Sequence, residues 1–205
     1  MQQEIAKILE AHFIDQANAP AILAKFSVLS RRLTAEKPHR LYRDILRIGF
    51  TAAFRDYKLV LDAEEMERLA SSPSRMGPHF EVIDALRRLQ TRYRLAIFTN
   101  SDDDLIRPTV ERIGLHFDHV VTSQQARAYK PSIEMFKYAY QTMGVSPEDT
   151  VHVAMGMYTD MKACRELGLR AIWVNRRNED GNPDWLPYDE VRELGKAADL
   201  LLRDG

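Results

Sequence analysis

A single cysteine, Cys164, in 205 residues excludes an intramolecular disulfide and any zinc site built on several thiolates. An excess of one charge is missing too. The 29 Lys and Arg are matched by 30 Asp and Glu, leaving a net charge of −1 and no field that would draw nucleic acid or an anionic membrane. The basic pairs Arg31-Arg32 and Arg87-Arg88 lie among apolar residues at helical spacing and read as solvated helix faces. No apolar run approaches the ~18 residues of a membrane span, and the opening "MQQEIAKILEAHF" has no cleavage-like site. A cytoplasmic protein with neither nucleic-acid nor membrane partner is expected. Repeats and low-complexity tracts are also lacking.

What is present is a chain 45% hydrophobic, enough for one sizeable core and a subdomain. Residues 4–13 repeat apolar side chains at helical spacing, and further helices are predicted over 21–33, 41–57 and 63–70. The linker "SSPSRMGPHF" (71–80) ends this run. The period then changes. "LAIFTN" (95–100), "DHVVTS" (118–123), "TVHVAM" (150–155) and "RAIWVN" (170–175) read as buried strands, separated by helices near 102–113, 132–143 and 158–167. Alternation of this kind predicts an α/β fold with a parallel sheet. The expected organisation is an N-terminal helix over 1–14, a helical cap over 15–77 and an α/β core over 78–205. Ligands of such sheets sit beyond the carboxyl ends of the strands, where Asn100, Ser123, Met155 and Asn175 fall.

Three features at that edge carry chemistry. "FTNSDDD" places Asn100 and Ser101 where amide, hydroxyl and helix N-terminal groups can hold an anion, although Ser101 or Asp102 serves equally well as a helix cap. "AYKPS" sets Lys130 before a helix, able to point into the strand-end cleft or out to solvent. Asp160, five residues past a strand end, can orient that lysine or simply favour its own helix dipole. His152, inside a strand, reads as a packed or satisfied histidine, and Cys164 as packed.

In this order and spacing the stretch resembles the haloacid dehalogenase superfamily, and within it the type II branch. Thr99-Asn100-Ser101 resembles its second motif, Lys130-Pro131 its third, and the strand 150–155 with Asp160 its fourth. "WVNRR" (173–177), "PDW" (183–185) and "LYRDIL" (41–46) are similar to that branch as well. The resemblance implies a Rossmann-like parallel sheet with a helical cap. Two departures qualify it. Met155 stands where the metal-dependent phosphatases have a Mg²⁺-binding acid, so no metal or other cofactor is expected. The D-x-x-G-T pattern that carries the nucleophilic aspartate on the first strand is not found, and Asp15 in "HFIDQANAP" has no Gly-Thr after it.

The expectation is therefore a sheet lacking its usual first strand, with the gap closed by direct pairing, by a second chain, or by opening of the sheet; a homodimer is one outcome. Without a nucleophile, the favoured function is a non-hydrolytic reaction of specialised metabolism, a cyclisation, cycloaddition or isomerisation of an apolar small molecule. Lys130, Asn100 and Tyr158 are its expected hydrogen-bond donors. Ser101, Met155, Met157, Phe136, Asp160, Phe26 and Tyr42 are its expected substrate-binding residues. The alternatives are a type II 2-haloacid dehalogenase-like hydrolase shortened at its N-terminus, and a non-catalytic small-molecule-binding protein.

Overall fold

The computed structural model describes residues 1–203. Contacts divide the chain into two units, Met1–Met76 with Ser101–Thr109, and Gly77–Asn100 with the residues from Val110 onward.

The first unit is helical. Helices α1 (Gln2–Ala11), α2 (Ala19–Ala35), α3 (Tyr42–Phe54) and α4 (Ala63–Ala70) each turn one apolar stripe inward. Ile5, Ile8 and Leu9 of α1 meet Ile22 and Phe26 of α2, Leu46, Phe50 and Phe54 of α3, and Leu69 of α4 in one core. A reciprocal capping box starts α4: the Glu65 N–H donates to the Asp62 side chain and the Asp62 N–H donates to Glu65. Glu65 also takes His12 Nε2 at 2.7 Å, tying α4 to the end of α1. The helix predicted over 41–57 ends at Phe54; a 3₁₀ turn, Arg55–Tyr57, follows and stops at Lys58, whose φ of 53° cannot continue a right-handed helix.

The second unit is the α/β part, and it holds two sheets. Strands β1 (Ala96–Thr99) and β2 (His119–Thr122) pair in parallel, with Ala96 opposite His119. Strands β3 (Val151–Ala154), β4 (Arg170–Val174) and β5 (Asp189–Val191) form a second parallel sheet in that order. Among the described residues no strand precedes Ala96, and β1 and β3 do not pair with each other. The strands alternate as a sheet buried on both faces should. Ile172 and Val174 of β4 pack with Ala85 and Leu89 of α5 (Val82–Gln90) and with Ala197, Ala198 and Leu201 of α10 (Leu194–Arg203). Ala171 and Trp173 turn the other way, toward Phe136, Met161 and Cys164.

Helix α6 (Asp103–Ile113) contains the division between the two units. Helices α7 (Ser123–Ala126) and α8 (Ile133–Met143) lead from β2 toward β3. The single helix predicted near 158–167 is two pieces, a π-helical turn, Met157–Met161, followed by α9 (Lys162–Leu167). The cause is local: the Asp160 and Met161 N–H groups both donate to the Gly156 carbonyl. Strand β5 was not predicted, because "DEV" carries one apolar residue and no visible period. No helix of the described residues is long and apolar enough to cross a membrane.

Packing in the helical unit yields a test. Phe26 stacks on Phe50 with centroids 4.2 Å apart, and a Cβ on Gly49 would lie 2.8 Å from Phe26 Cδ2. Helix propensity alone favours Gly49→Ala by about 1 kcal/mol. Overpacking against a ring already pinned in a core costs about 1–3 kcal/mol. The expected outcome is a lower urea midpoint than the parent protein at an unchanged m value. A raised midpoint would mean that the Phe26 ring is free to swing aside.

Candidate active site

The site is built where β1 and β3 end beside each other. Asn100, one residue past β1, clips the loop that carries Lys130: its Nδ2 donates to the Lys130 carbonyl at 3.0 Å, and the Lys130 N–H donates to its Oδ1 at 2.7 Å. So held, Lys130 directs its side chain back over the strand ends. Nζ donates to the Phe98 carbonyl at 3.0 Å and to Asp160 Oδ1 at 2.6 Å.

Asp160 is 3% exposed and all its contacts are made. Oδ1 accepts from Lys130 and from His152 Nε2 at 2.9 Å, while Oδ2 accepts the Thr159 hydroxyl at 2.6 Å. A carboxylate only accepts, so His152 carries its hydrogen on Nε2. Burial pushes the Asp160 carboxyl up, but the Lys130 ammonium and the His152 hydrogen bond overcome it and hold the group well below the usual carboxylate range. The tight π-helical turn makes this placement possible. At Gly156 a side chain would collide with Thr159 Oγ1 and Asp160 Oδ2, so only glycine permits the approach. Cys164 lies behind, its thiol pushed up to about 12 by burial and by the Asp160 charge, and is not a nucleophile near neutral pH.

The residues expected at the site separate into two sets. Asn100, Lys130 and Asp160 come together. His152 joins them as the packed and satisfied histidine expected: its ring lies against Phe98 and Phe136, with centroids 5.9 and 5.4 Å away, and its Nε2 meets Asp160. Phe136 itself is fully buried beneath the histidine and lines no cleft. Met157 packs into the core with Trp173 and Met161. Met155 is 45% exposed, and the group it contributes is its carbonyl, which accepts from Trp173 Nε1 at 3.1 Å. Tyr158 faces Trp185 at 6.1 Å and Lys162 at 5.6 Å.

Phe26, Tyr42 and Ser101 belong to the helical unit. Phe26 is consumed by its stack on Phe50. Burial, with the charge of Asp102, raises the Tyr42 phenol above its ordinary value. The Asp102 carboxylate caps another helix: it accepts the N–H groups of Tyr42 and Arg43 at 2.7 and 2.8 Å, at the start of α3. Sequence spacing could not show a cap sixty residues away. Asp15, the one aspartate weighed as a replacement nucleophile, is exposed in the helical unit and accepts from the Ala17 N–H.

Residues 54–174, more than half the chain, match the family model described as haloacid dehalogenase-like hydrolase. The chain belongs to the haloacid dehalogenase-like hydrolase family. It is 30% identical over 151 residues to (S)-2-haloacid dehalogenase H-109 of Pseudomonas putida, covering 70% of this chain and 66% of that protein. It is 32% identical over 151 residues to the (S)-2-haloacid dehalogenase of Pseudomonas sp. (strain YL), covering 70% and 63%. The matched stretch thus spans just under two thirds of these curated relatives. Among solved structures, L-2-haloacid dehalogenase from Xanthobacter autotrophicus with chloropropionic acid covalently bound superposes with a TM-score of 0.84 at 16% identity, over 98% of this chain and 92% of that one.

Membership of this family overturns the expectation of a cyclase, pericyclase or isomerase of specialised metabolism, since the relatives are dehalogenases. The geometry gives the physical reason. Of the residues expected to line the apolar cleft of such a reaction, Phe136, Met157 and Phe26 are spent on core packing, while Met155 borders the cavity between β1 and β3. A charged, hydrogen-bonded cluster occupies the strand ends instead. That cluster is a poor Mg²⁺ site: its one carboxylate has both oxygens engaged, Met155 offers a thioether, and no group of three metal-ligating side chains occurs among the described residues.

Removing one partner of the buried pair gives a defined outcome. Asp160→Asn leaves the Lys130 ammonium buried and uncompensated, at an expected cost of about 3–5 kcal/mol at pH 7 by urea unfolding. Because the folded carboxyl titrates below its unfolded value of about 3.9, its contribution is complete above that value and is lost as pH falls further. The stability gap between parent and variant should therefore narrow below about pH 4. A gap that stays constant from pH 7 to pH 3 would mean that the carboxylate charge is not what stabilises the fold.

Proposed function

We propose that the chain is a haloacid dehalogenase-like hydrolase for small 2-halocarboxylic acids, with Lys130 as the group that takes the anion. This reading corresponds to the dehalogenase-like alternative and not to the favoured expectation from sequence. One observation carries it: an ammonium fixed at the strand ends by two acceptors, the Phe98 carbonyl and Asp160. An ammonium has three hydrogens, so one remains for a ligand. The names of the relatives supply the substrate class. A cytoplasmic location agrees with the reading.

The overall reaction replaces a carbon–halogen bond with a carbon–oxygen bond, consuming water and releasing halide and a proton. Lys130 stabilises negative charge, either the substrate carboxylate or the departing halide, with no reorganisation at the moment of bond breaking. Asp160 cannot attack carbon, because Lys130, His152 and Thr159 occupy both its oxygens; it is a positioning residue that keeps Lys130 charged and aimed. Asn100 fixes the backbone from which Lys130 projects.

Chloride release from (S)-2-chloropropionate is the test. The purified chain should release chloride above the uncatalysed rate, and Lys130→Met should lower that rate roughly 100-fold, the scale of losing one oriented charge donor. Circular dichroism confirms that the variant is folded. Equal rates in parent and variant, or no release by the parent, would overturn the proposal.

A further inference from the structure

Asp160 is closed to solvent, and three donors stand where its water would be. Lys130 Nζ at 2.6 Å and His152 Nε2 at 2.9 Å share Oδ1, and the Thr159 hydroxyl meets Oδ2 at 2.6 Å. Lys130 has a part in the proposed reaction, and Thr159 is the chain neighbour of Asp160. His152 comes from another element, the interior of β3, where a β-branched residue would suit the sheet better. Its ring lies between Phe98 and Phe136, in a layer that favours an apolar side chain. An imidazole buried there has to be answered by a hydrogen bond, and the bond goes to Asp160.

What that bond does follows from the two states open to a buried lysine–aspartate pair. The pair can stand as ammonium and carboxylate. Alternatively one proton passes from Nζ to the carboxyl oxygen, leaving a neutral amine beside a neutral acid, with atoms and charge conserved. Burial favours the neutral pair, and each further hydrogen bond given to the carboxylate favours the charged one. Thr159 gives one such bond. His152 gives the other, on the same oxygen that Lys130 uses. The remaining titratable groups of this layer add no positive charge: the Cys164 thiol of α9 stays protonated, and Tyr140 of α8 is bonded to the Thr150 hydroxyl. The two aromatic rings also fix where the imidazole points, so Oδ1 is located from two elements at once, β3 and the loop between α7 and α8.

We propose that His152 is a positioning residue of the site: its Nε2–H, placed on the oxygen that also takes Lys130, holds the buried pair as carboxylate and ammonium, so that Lys130 keeps a hydrogen for an anion. The inference rests on the hydrolase reading for the use made of Lys130, and on the bonds alone for the role of His152.

The test uses the full chain labelled with ¹³C at its aspartate carboxyl carbons. His152→Phe removes the donor and keeps an aromatic ring against Phe98 and Phe136. His152→Gln offers an amide N–H in roughly the place of Nε2. The Asp160 signal, assigned by its loss in Asp160→Asn, is followed from pH 7 to pH 3. In the parent it should keep its ionised position throughout, because the folded carboxyl is held well below the usual carboxylate range. In His152→Phe its midpoint should rise by about one pH unit or more, a tenfold change in proton affinity. His152→Gln should recover most of that shift. The acid limb of kcat/KM for (S)-2-chloropropionate should move in the same direction and order. If His152→Phe does not fold, His152→Leu takes its place, since it lacks the donor equally. An Asp160 signal that titrates alike in the parent and the donor-free variant, or a His152→Gln that behaves as His152→Phe does, would overturn the proposal. The spectra are read without turnover, so the expected shifts in a chain that releases no chloride would count against the hydrolase reading alone.

Discussion

The buried ion pair between Lys130 and Asp160 is the constraint on which the α/β unit turns. Two sheets that share no ladder are tied at their carboxyl ends by the Lys130 side chain, which reaches from the loop between α7 and α8 to the carbonyl of Phe98 on β1 and to the carboxylate that follows β3. A buried pair of this kind is not in itself a source of stability, because desolvating both charges offsets most of their attraction. What it provides is uniqueness. Asp160 accepts three hydrogen bonds, and Lys130 is fixed at its backbone by Asn100, so neither group has another arrangement that satisfies it.

The requirements of that pair explain otherwise odd local features. Asp160 has to approach β3 closely, and the π-helical turn with glycine at 156 is what allows it. His152 has to present one nitrogen to the carboxylate while its ring remains in an apolar layer, and Phe98 and Phe136 hold it in that orientation. Cys164 is inert because it sits beside the same carboxylate in the same dry layer.

How much of this was legible in the sequence differs by element. Strands β1 to β4 announced themselves because each is a short β-branched run between turn residues, and the structure trims each by about one residue at its ends. Helix α4 matched its predicted span, 63–70, because a capping box and an amphipathic stripe agree there. Asn100, Lys130 and Asp160 were legible as strand-end residues. Their mutual bonds were not, since separations of thirty residues become contacts only through the sheet. Suspicion fell on Met155 because of its position at a strand end. In the structure the methionine contributes a carbonyl to Trp173 and is half exposed at the border of the cavity. His152, read as a packed or satisfied histidine, is both: its ring packs against Phe98 and Phe136 and its Nε2 meets Asp160.

The error about the reaction had a physical root. Aromatic and methionine residues near a strand edge read as cleft lining, yet periodicity cannot tell a side chain that lines a cavity from one that fills a core. Phe136, Met157 and Phe26 all fill cores. The apolar space that does exist lies between β1 and β3, with Lys130 and Asp160 at one end, and is made by strands whose sequences look like any buried strand. Lys130 stands at one end of it, with its ammonium on the Phe98 carbonyl. The same ammonium that reaches the Phe98 carbonyl and the Asp160 carboxylate projects from a backbone clipped by Asn100, so the charge, the strand end and the loop are ordered by one set of bonds.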